Sequence, residues 1–219
     1  YTSKGMFSEA YEELQTLSKA QPDNVQIFIR MANIAFMMEN YGAMATACEK
    51  AILLDSENAT AHYLYAEACK GQGDDVNTIA MATKAISIDN KQGNAYLLRG
   101  ETYLRTQQLS EAEADADWLL EHTEDNEDVL LLKARIERAA NRNNEAIEYF
   151  TKAIDANPFS YTAFKERSEM YSLIGNEVKA KEDAERAEEL MPTDGKENVE
   201  ENIEKQLNDK YKQMNPYGF

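Results

Sequence analysis

The residue types that most often carry enzyme chemistry are scarce in this chain and do not cluster. Its two histidines, His62 and His122, and its two cysteines, Cys48 and Cys69, match neither the spacing of metal ligands nor that of a nucleophile with its general base. Both cysteines fall on apolar positions of predicted helices, so we expect buried, reduced thiols rather than a disulfide or a metal pair. No Gly-rich phosphate-binding loop is present in the sequence. The sequence therefore predicts a protein that is not an enzyme and binds no metal or cofactor.

Carboxylates are abundant, because Asp and Glu number 40 against 23 Lys and Arg, a formal net charge of −17. Runs such as Glu111–Asp117 and Glu197–Glu204 are typical of solvated helix faces rather than of acid/base pairs. A surface of this charge repels phosphate backbones and anionic lipids, which argues against nucleic acid as a partner. No apolar run has the length of a membrane span, which argues against membrane insertion. A soluble, cytoplasmic protein is favoured over a periplasmic or secreted one.

Two arginines are followed sixteen residues later by an aspartate, Arg99 by Asp115 and Arg167 by Asp183. A guanidinium that neighbouring helices half cover requires a planar acceptor, so we predict that each pair forms a salt bridge. The alternative is chance placement of charges on a solvated surface. Lys133 occupies the same phase as the arginines, and Tyr149 follows it at the same spacing, so a contact through the hydroxyl but no ion pair is expected between these two residues.

Small residues recur in this sequence every thirty-four residues. One column of them consists of Ala32, Ala66, Gly100, Ala134 and Ser168. A second consists of Ala51, Ala85, Leu119, Ala153 and Ala187, in which only Leu119 is large. Small residues recur at a constant step because two helices must approach closely at the same point in every unit. The period therefore predicts helix-on-helix packing repeated along an axis, an architecture that builds surfaces rather than single pockets.

Each unit has the pattern of two amphipathic helices joined by a short polar turn. Gly5, Gly73 and Gly175 share one phase, where a helix is predicted to end in a left-handed residue. The period divides the chain into a half unit that has only its second helix (1–24), five full units (25–194) and a terminal region (195–219). The five full units are 25–58, 59–92, 93–126, 127–160 and 161–194. In the terminal region, Val199, Ile203 and Leu207 predict a capping helix.

The last full unit carries the most complete motif, which consists of Tyr161, Phe164, Ser168, Tyr171, Gly175, Ala180, Ala187 and Pro192. This motif, the thirty-four-residue step and the phased copies resemble the tetratricopeptide repeat family over nearly the whole chain. The resemblance implies an all-α, right-handed superhelical solenoid with a C-terminal capping helix. It also implies that the first helices line a concave groove for a peptide or a partner helix.

The groove that the resemblance implies lacks the carboxylate clamp with which some family members grip chaperone tails. The clamp needs lysines and an arginine, and the corresponding columns hold Ile29 and Asn33, then Leu64, then Asn94 and Leu98. The groove instead offers an apolar strip centred on Leu64, Leu98 and Leu132, which repeat at the unit step. The predicted binding residues are Ile29, Arg30, Asn33, Phe36, Met37, Tyr63, Leu64, Glu67, Leu97, Leu98, Glu101, Leu104, Arg105, Leu132 and Arg135. Under the alternative, the leucines only pack one first helix against the next.

The leading functional hypothesis is a non-catalytic protein-interaction scaffold that binds a peptide or protein segment in this groove. One alternative is a structural or assembly subunit that self-associates through its edges or its convex face, where Trp118 occupies a position that is normally polar. Another is the accessory region of a larger protein truncated before Tyr1.

Overall fold

The computed structural model describes residues 2–124 and 126–191, and these residues form eleven α-helices and no strand. The helices are α1 (Thr2–Ala20), α2 (Val25–Met37), α3 (Tyr41–Leu54), α4 (Ala59–Gly71), α5 (Asp75–Ile88), α6 (Gly93–Arg105), α7 (Leu109–His122), α8 (Glu127–Ala139), α9 (Asn143–Ala156), α10 (Tyr161–Leu173) and α11 (Glu177–Leu190). The predicted all-α fold is confirmed. The predicted capping helix within 195–219 lies outside the described residues.

The helices repeat at the step of the sequence. From α2 to α11, first helices of 13 residues alternate with second helices of 14 residues, and each type begins again thirty-four residues later. We call α2, α4, α6, α8 and α10 first helices, and α3, α5, α7, α9 and α11 second helices. By phase, α1 is a second helix, because its end at Ala20 lies thirty-four residues before the end of α3 at Leu54.

The turn inside each unit depends on a single residue with a left-handed backbone. Positive φ angles of 56° to 76° occur in one column at the unit step, at Glu39, Gly73, Gln107, Asn141 and Gly175. Glycine adopts this conformation without a steric penalty, whereas the other residues do so at a cost. The prediction for Gly5 in the same column is wrong, because α1 runs through it from Thr2. In the later units the left-handed residue follows the first helix and turns the chain into the second. The described residues contain no first helix before α1, so no such turn occurs at Gly5.

Most helices begin at a side chain that caps them. The side chains of Asn40, Asn58 and Asp74 accept hydrogen bonds from backbone N–H groups of the first turn at 3.0–3.1 Å. Such a cap satisfies a donor that has no partner inside the helix. The short polar segments between the helices therefore set where each helix starts, and thereby the phase of the face that it buries.

The described residues form two compact units, 2–98 and 99–191, each with its own core. In the first unit, Ala32 and Ala66 from one small-residue column and Ala51 and Ala85 from the other are fully buried. In the second unit, the corresponding core is built around Phe150, with no exposed surface. Close approach of helices at these columns explains why the sequence keeps them small.

Both cysteines are free and buried, as predicted. Cys48 is fully buried, and Cys69 is 5% exposed. Burial, aided by the nearby Cys69 thiol and Glu49 carboxylate, raises the pKa of Cys48 to about 12. Cys48 is therefore a packed apolar side chain rather than a reactive thiol.

Candidate functional site

The three leucines at the centre of the predicted strip are buried in the free protein. Leu64 and Leu98 are each 2% exposed, and Leu132 is 1% exposed. The prediction that they form an accessible strip is therefore wrong. Ile29 and Tyr63, at 8% and 7% exposure, are also core residues rather than open groove residues.

The leucines are buried because their column faces the preceding first helix. In the second unit, a β-carbon added at Gly100 of α6 would lie 3.0 Å from Cδ2 of Leu132 on α8. Glu166 of α10 shares the leucine column, and it accepts a 2.6 Å hydrogen bond from Nη2 of Arg135 on α8. The unit period places these residues in one phase, and the packing of first helix on first helix then removes that phase from solvent.

Some side chains on the row of first helices in unit 2–98 are only partly covered. Phe36 and Met37 on α2 and Leu97 on α6 are half-buried. Asn33 and Glu67 add polar groups, and the Tyr63 hydroxyl donates a 2.8 Å hydrogen bond to Oε1 of Glu67. Apolar side chains beside a fixed carboxylate can bind a peptide that buries an apolar residue and presents a donor next to it.

The predicted site residues of unit 99–191 differ in their accessibility. Glu101 and Leu104 are half-buried, and Arg105 is exposed. Arg135 was predicted to contact a ligand at the rim, but it forms a salt bridge with Glu166 at 2.6 Å. Burial lowers the pKa of Arg135, the hydrogen bonds and charge of Glu166 raise it, and the net change is upward. The role of Arg135 in the described structure is thus to join α8 to α10.

The two predicted arginine–aspartate pairs are present. Nη2 and Nε of Arg99 donate to the two carboxylate oxygens of Asp115 at 2.6 and 2.9 Å. Nε and Nη2 of Arg167 donate to Asp183 at 2.7 and 2.8 Å. Both aspartates are buried, at 3% and 6% exposure. These planar, two-bond contacts hold the first and second helix of a unit together and leave the arginines unavailable for a ligand.

An ion network surrounds the buried ammonium group of Lys133. Nζ of Lys133 lies 2.7 Å from Asp117, 3.2 Å from Glu113 and 3.3 Å from Glu137. Arg142 also bonds to Glu137. Tyr149, sixteen residues after Lys133, offers no carboxylate, but Asp117 lies sixteen residues before Lys133, on the preceding helix. Burial opposes ionisation of Lys133, but the contacts with Asp117 and Glu113 dominate and raise its pKa.

The histidines and Trp118 also differ in their environment. His62 is 6% exposed, and its Nε2 lies 3.0 Å from the backbone oxygen of Ser56, so it is the predicted core imidazole. Trp118, half-buried on α7, stacks on the exposed ring of His122 with centroids 4.2 Å apart.

Within the described residues, no group of three or more His, Cys, Asp or Glu could hold a metal ion. No helix in that part of the chain is long and apolar enough to cross a membrane.

A cavity of about 410 Å³ opens between α1 and α2. Its walls include Leu14 and Leu17 from α1 and Arg30 and Ile34 from α2, with Glu13 beside them. Leu17 is 38% exposed, which is unusual for its column, since Ala51 and Ala85 at the same phase are fully buried. The cavity is thus a concave, largely apolar surface with one charge on each wall.

Comparison with known proteins relates this architecture to one family. Residues 97–161 match the sequence model of the tetratricopeptide repeat. No curated protein sequence matches the chain. The chain is similar in structure to YrrB, a tetratricopeptide repeat protein with an unusual peptide-binding site. The two chains are 18% identical, the match covers 91% of this chain and 99% of that chain, and the TM-score is 0.66.

Two further solved structures are similar over almost their full length. A tetratricopeptide repeat protein from Parabacteroides merdae is 19% identical, with 100% of this chain and 90% of that chain covered and a TM-score of 0.76. PilW, a type IV pilus biogenesis factor, is 17% identical, with coverages of 94% and 93% and a TM-score of 0.78. At these identities the similarity concerns the fold. Proteins with this fold generally serve as non-catalytic scaffolds for protein–protein interaction. Residues 97–161 therefore carry the tetratricopeptide repeat, and the described residues form an all-α helical repeat solenoid.

Proposed function

We propose that the chain is a non-catalytic scaffold that binds a peptide or a partner helix along the first helices of unit 2–98. The observations that support this proposal are that Phe36, Met37 and Leu97 on this row of first helices are only partly covered, and that the Tyr63 hydroxyl holds the half-buried Glu67 carboxylate on the same row. Half-buried apolar side chains are already held by packing, so a ligand can cover them at a small cost in side-chain entropy. Loss of the leucine column to the core moves the proposed site to this row.

The ligand that suits this row is an extended or helical protein segment. Its apolar side chains would contact Phe36 and Met37, and a hydrogen-bond donor or a cation would face Glu67. The acidic surface of the chain favours a basic or neutral segment and disfavours nucleic acid. In such a contact the apolar residues supply most of the affinity, and the carboxylate supplies orientation.

Peptide selection followed by calorimetry tests the proposal. A displayed library of random peptides would be selected on the full chain, and the dissociation constant of each enriched peptide would be measured with wild type and with Met37→Glu. We expect Met37→Glu to weaken binding at least tenfold, because it places a charge in the desolvated contact. The matched control is Val76→Glu on α5, since Val76 is 78% exposed and lies outside the row.

Two results would contradict the proposed site. One is a selection that enriches no peptide with a measurable dissociation constant. The other is a set of peptides whose binding is the same for wild type, Met37→Glu and Val76→Glu. Thermal melting of both variants would establish that they fold, so that a loss of binding can be attributed to the surface.

A second candidate function is that of an assembly subunit, and exposed apolar residues on the second helices favour it. Leu53 at the end of α3 is 76% exposed, and Val76 at the start of α5 is 78% exposed. Sedimentation analysis of the chain at increasing concentration tests this function. Self-association that Val76→Glu abolishes would support it, and a monomer at every concentration would exclude it for the isolated chain.

A further inference from the structure

A cavity of about 450 Å³ lies within unit 99–191, where α7, α8 and α9 meet. Small-molecule sites in proteins have volumes of about 300–1,000 Å³ and combine apolar walls with a few polar groups. The cavity has this size and this mixture of side chains. Its lining includes Leu120 from α7, Leu130 from α8, and Tyr149, Lys152, Asp155 and Ala156 from α9.

The small side chain of Ala156 leaves room at a position that the repeat fills in other units. Ala156 is the last residue of its second helix, and the other second helices end at Leu54, Ile88, His122 and Leu190, all of which are larger. Described helices precede and follow α7, α8 and α9 along the chain, so each first and second helix of the repeat is present around this cavity. The opening therefore comes from the sequence of this unit.

The interior of the cavity is apolar. Leu130 is 2% exposed, and Leu120 and Tyr149 are half-buried. An apolar group that enters beside Ala156 would remove the remaining surface of Leu120 and of the Tyr149 ring from water. Burial of this surface favours a ligand with a large apolar side chain.

Lys152 and Asp155 place one positive and one negative charge at the rim of the cavity. Nζ of Lys152 lies 4.7 Å from the centroid of the Tyr149 ring, which is three residues before it, whereas Asp155 is three residues after it. Neither Lys152 nor Asp155 forms an ion pair within the part of the chain that the structure describes. The charge of Asp155 helps to raise the pKa of Arg167, but Arg167 forms its salt bridge with Asp183. Both rim charges are therefore available to a ligand.

The spacing of the two charges indicates what kind of ligand suits them. Residues three apart on a helix are neighbours on its surface, with β-carbons about 5–6 Å apart. A ligand whose ammonium and carboxylate are attached to the same carbon atom can face Asp155 and Lys152 at once. The end of a peptide would supply the carboxylate, but an amide would take the place of the ammonium. The two charges together thus favour a free zwitterion.

We propose that the cavity between α7, α8 and α9 binds a free α-amino acid with a large apolar side chain, such as leucine. The carboxylate of the ligand faces Lys152, its ammonium faces Asp155, and its side chain lies beside Ala156 against Leu120. Because both rim charges are exposed to solvent, we expect a dissociation constant in the millimolar range. The peptide-binding row proposed above lies in unit 2–98, so either site can exist without the other.

An NMR titration of the isotope-labelled full chain with L-leucine tests the proposal. Shifts are expected at the methyl groups of Leu120 and Leu130 and at the ring of Tyr149. Three matched ligands each lack one feature: leucinamide lacks the carboxylate, N-acetylleucine lacks the ammonium, and alanine lacks the large side chain. Each should bind about fivefold more weakly than leucine, or not at all.

Three variants of the chain complete the test. Ala156→Leu introduces the residue that ends α3 and α11, so it should fill the cavity and abolish binding while the chain still melts cooperatively. Lys152→Glu should weaken leucine binding about fivefold or more, and it should make leucinamide the better ligand. The matched control is Lys181→Glu on α11, where a side chain that is 78% exposed undergoes the same change of charge without effect on binding.

Four results would overturn the proposal. The first is the absence of shifts at Leu120 and Tyr149 at tens of millimolar leucine. The second is binding that Ala156→Leu leaves unchanged, because leucine would then occupy another place. The third is an equal effect of Lys152→Glu and Lys181→Glu, which would mean that only net charge matters. The fourth is equal affinity for leucine and N-acetylleucine, which would assign the cavity to the end of a peptide.

Discussion

Replacement of Lys133 by methionine should destabilise unit 99–191 strongly, although it puts an apolar residue into a buried position. The Lys133 side chain is 7% exposed, and the Glu137 side chain, 3.3 Å away, is 6% exposed. Removal of one partner from a buried ion pair costs about 3–5 kcal/mol, because the other charge stays buried. The other partners keep much of their hydration, since the side chains of Glu113 and Asp117 are 37% and 54% exposed. Glu137 also keeps Arg142, so we expect a loss of about 2–3 kcal/mol.

The double variant Lys133→Met with Glu137→Met tests the physical reason. If the cost comes from a stranded carboxylate, removal of both charges should restore the free energy of unfolding to within about 1 kcal/mol of wild type. Urea unfolding would be followed by the fluorescence of Trp118, the only tryptophan, which lies on α7 in the same unit. Repeat arrays can unfold in parts, so a local probe is preferable to total helix content. Equal destabilisation of the single and double variants would refute the reasoning, as would a single variant within 0.5 kcal/mol of wild type.

The pH dependence of the same variants gives an independent check. Burial raises the pKa of Glu137, but the contacts with Arg142 and Lys133 outweigh it, and the net pKa lies below the ordinary value of 4.5. Its contribution to stability is therefore complete above that value and is lost as the pH falls through the depressed pKa. Lys133 has a pKa above its ordinary value of 10.5, so its contribution is lost only as the pH rises through the raised value. The double variant should lose less stability than wild type as the pH falls from 7 to below the depressed pKa of Glu137, and equal losses over that range would contradict this assignment.

Three further predictions concern other positions in the described residues. Arg167→Lys should lower the free energy of unfolding by about 1–2 kcal/mol, because an ammonium cannot reproduce the two-bond contact with Asp183. An unchanged urea midpoint would contradict this prediction. Cys48, with its pKa raised to about 12, should react with a thiol reagent at pH 8 only after unfolding, whereas rapid modification of the native chain would show that it is accessible. Gln107→Gly should raise the melting temperature, because Gln107 has a φ of 62° that glycine adopts without strain. The control is Gln108→Gly at the next position. A lower melting temperature for Gln107→Gly than for this control would contradict the prediction.

The repeat could be predicted from the sequence because helix packing leaves a record in residue size. Where two helices approach closely in every unit, a large side chain would clash, so Ala32 and Ala66 mark the contact. The Arg99–Asp115 and Arg167–Asp183 pairs could be predicted for a similar reason. Both partners lie in the same unit, so their separation in the chain determines their separation in space.

Contacts that depend on a neighbouring unit were harder to predict. Leu132 was assigned to an open groove, but its phase faces Gly100 on the preceding first helix. Lys133 was paired by its spacing with Tyr149 on the following second helix, but its carboxylate partner Asp117 lies on the preceding one. In both cases the periodicity identified the phase of the residue correctly, but it did not indicate which neighbouring helix covers that phase.

The sequence by itself determined the helical architecture, its thirty-four-residue period and the contacts within each unit, because all of these depend on local spacing along the chain. Only the tertiary structure decided which surfaces remain open. It buried Leu64, Leu98 and Leu132 and left Phe36 and Met37 half-covered. The physical reason is that a solvent-exposed and a buried residue can occupy the same phase of a repeat, and the difference between them is whether another helix packs against that phase.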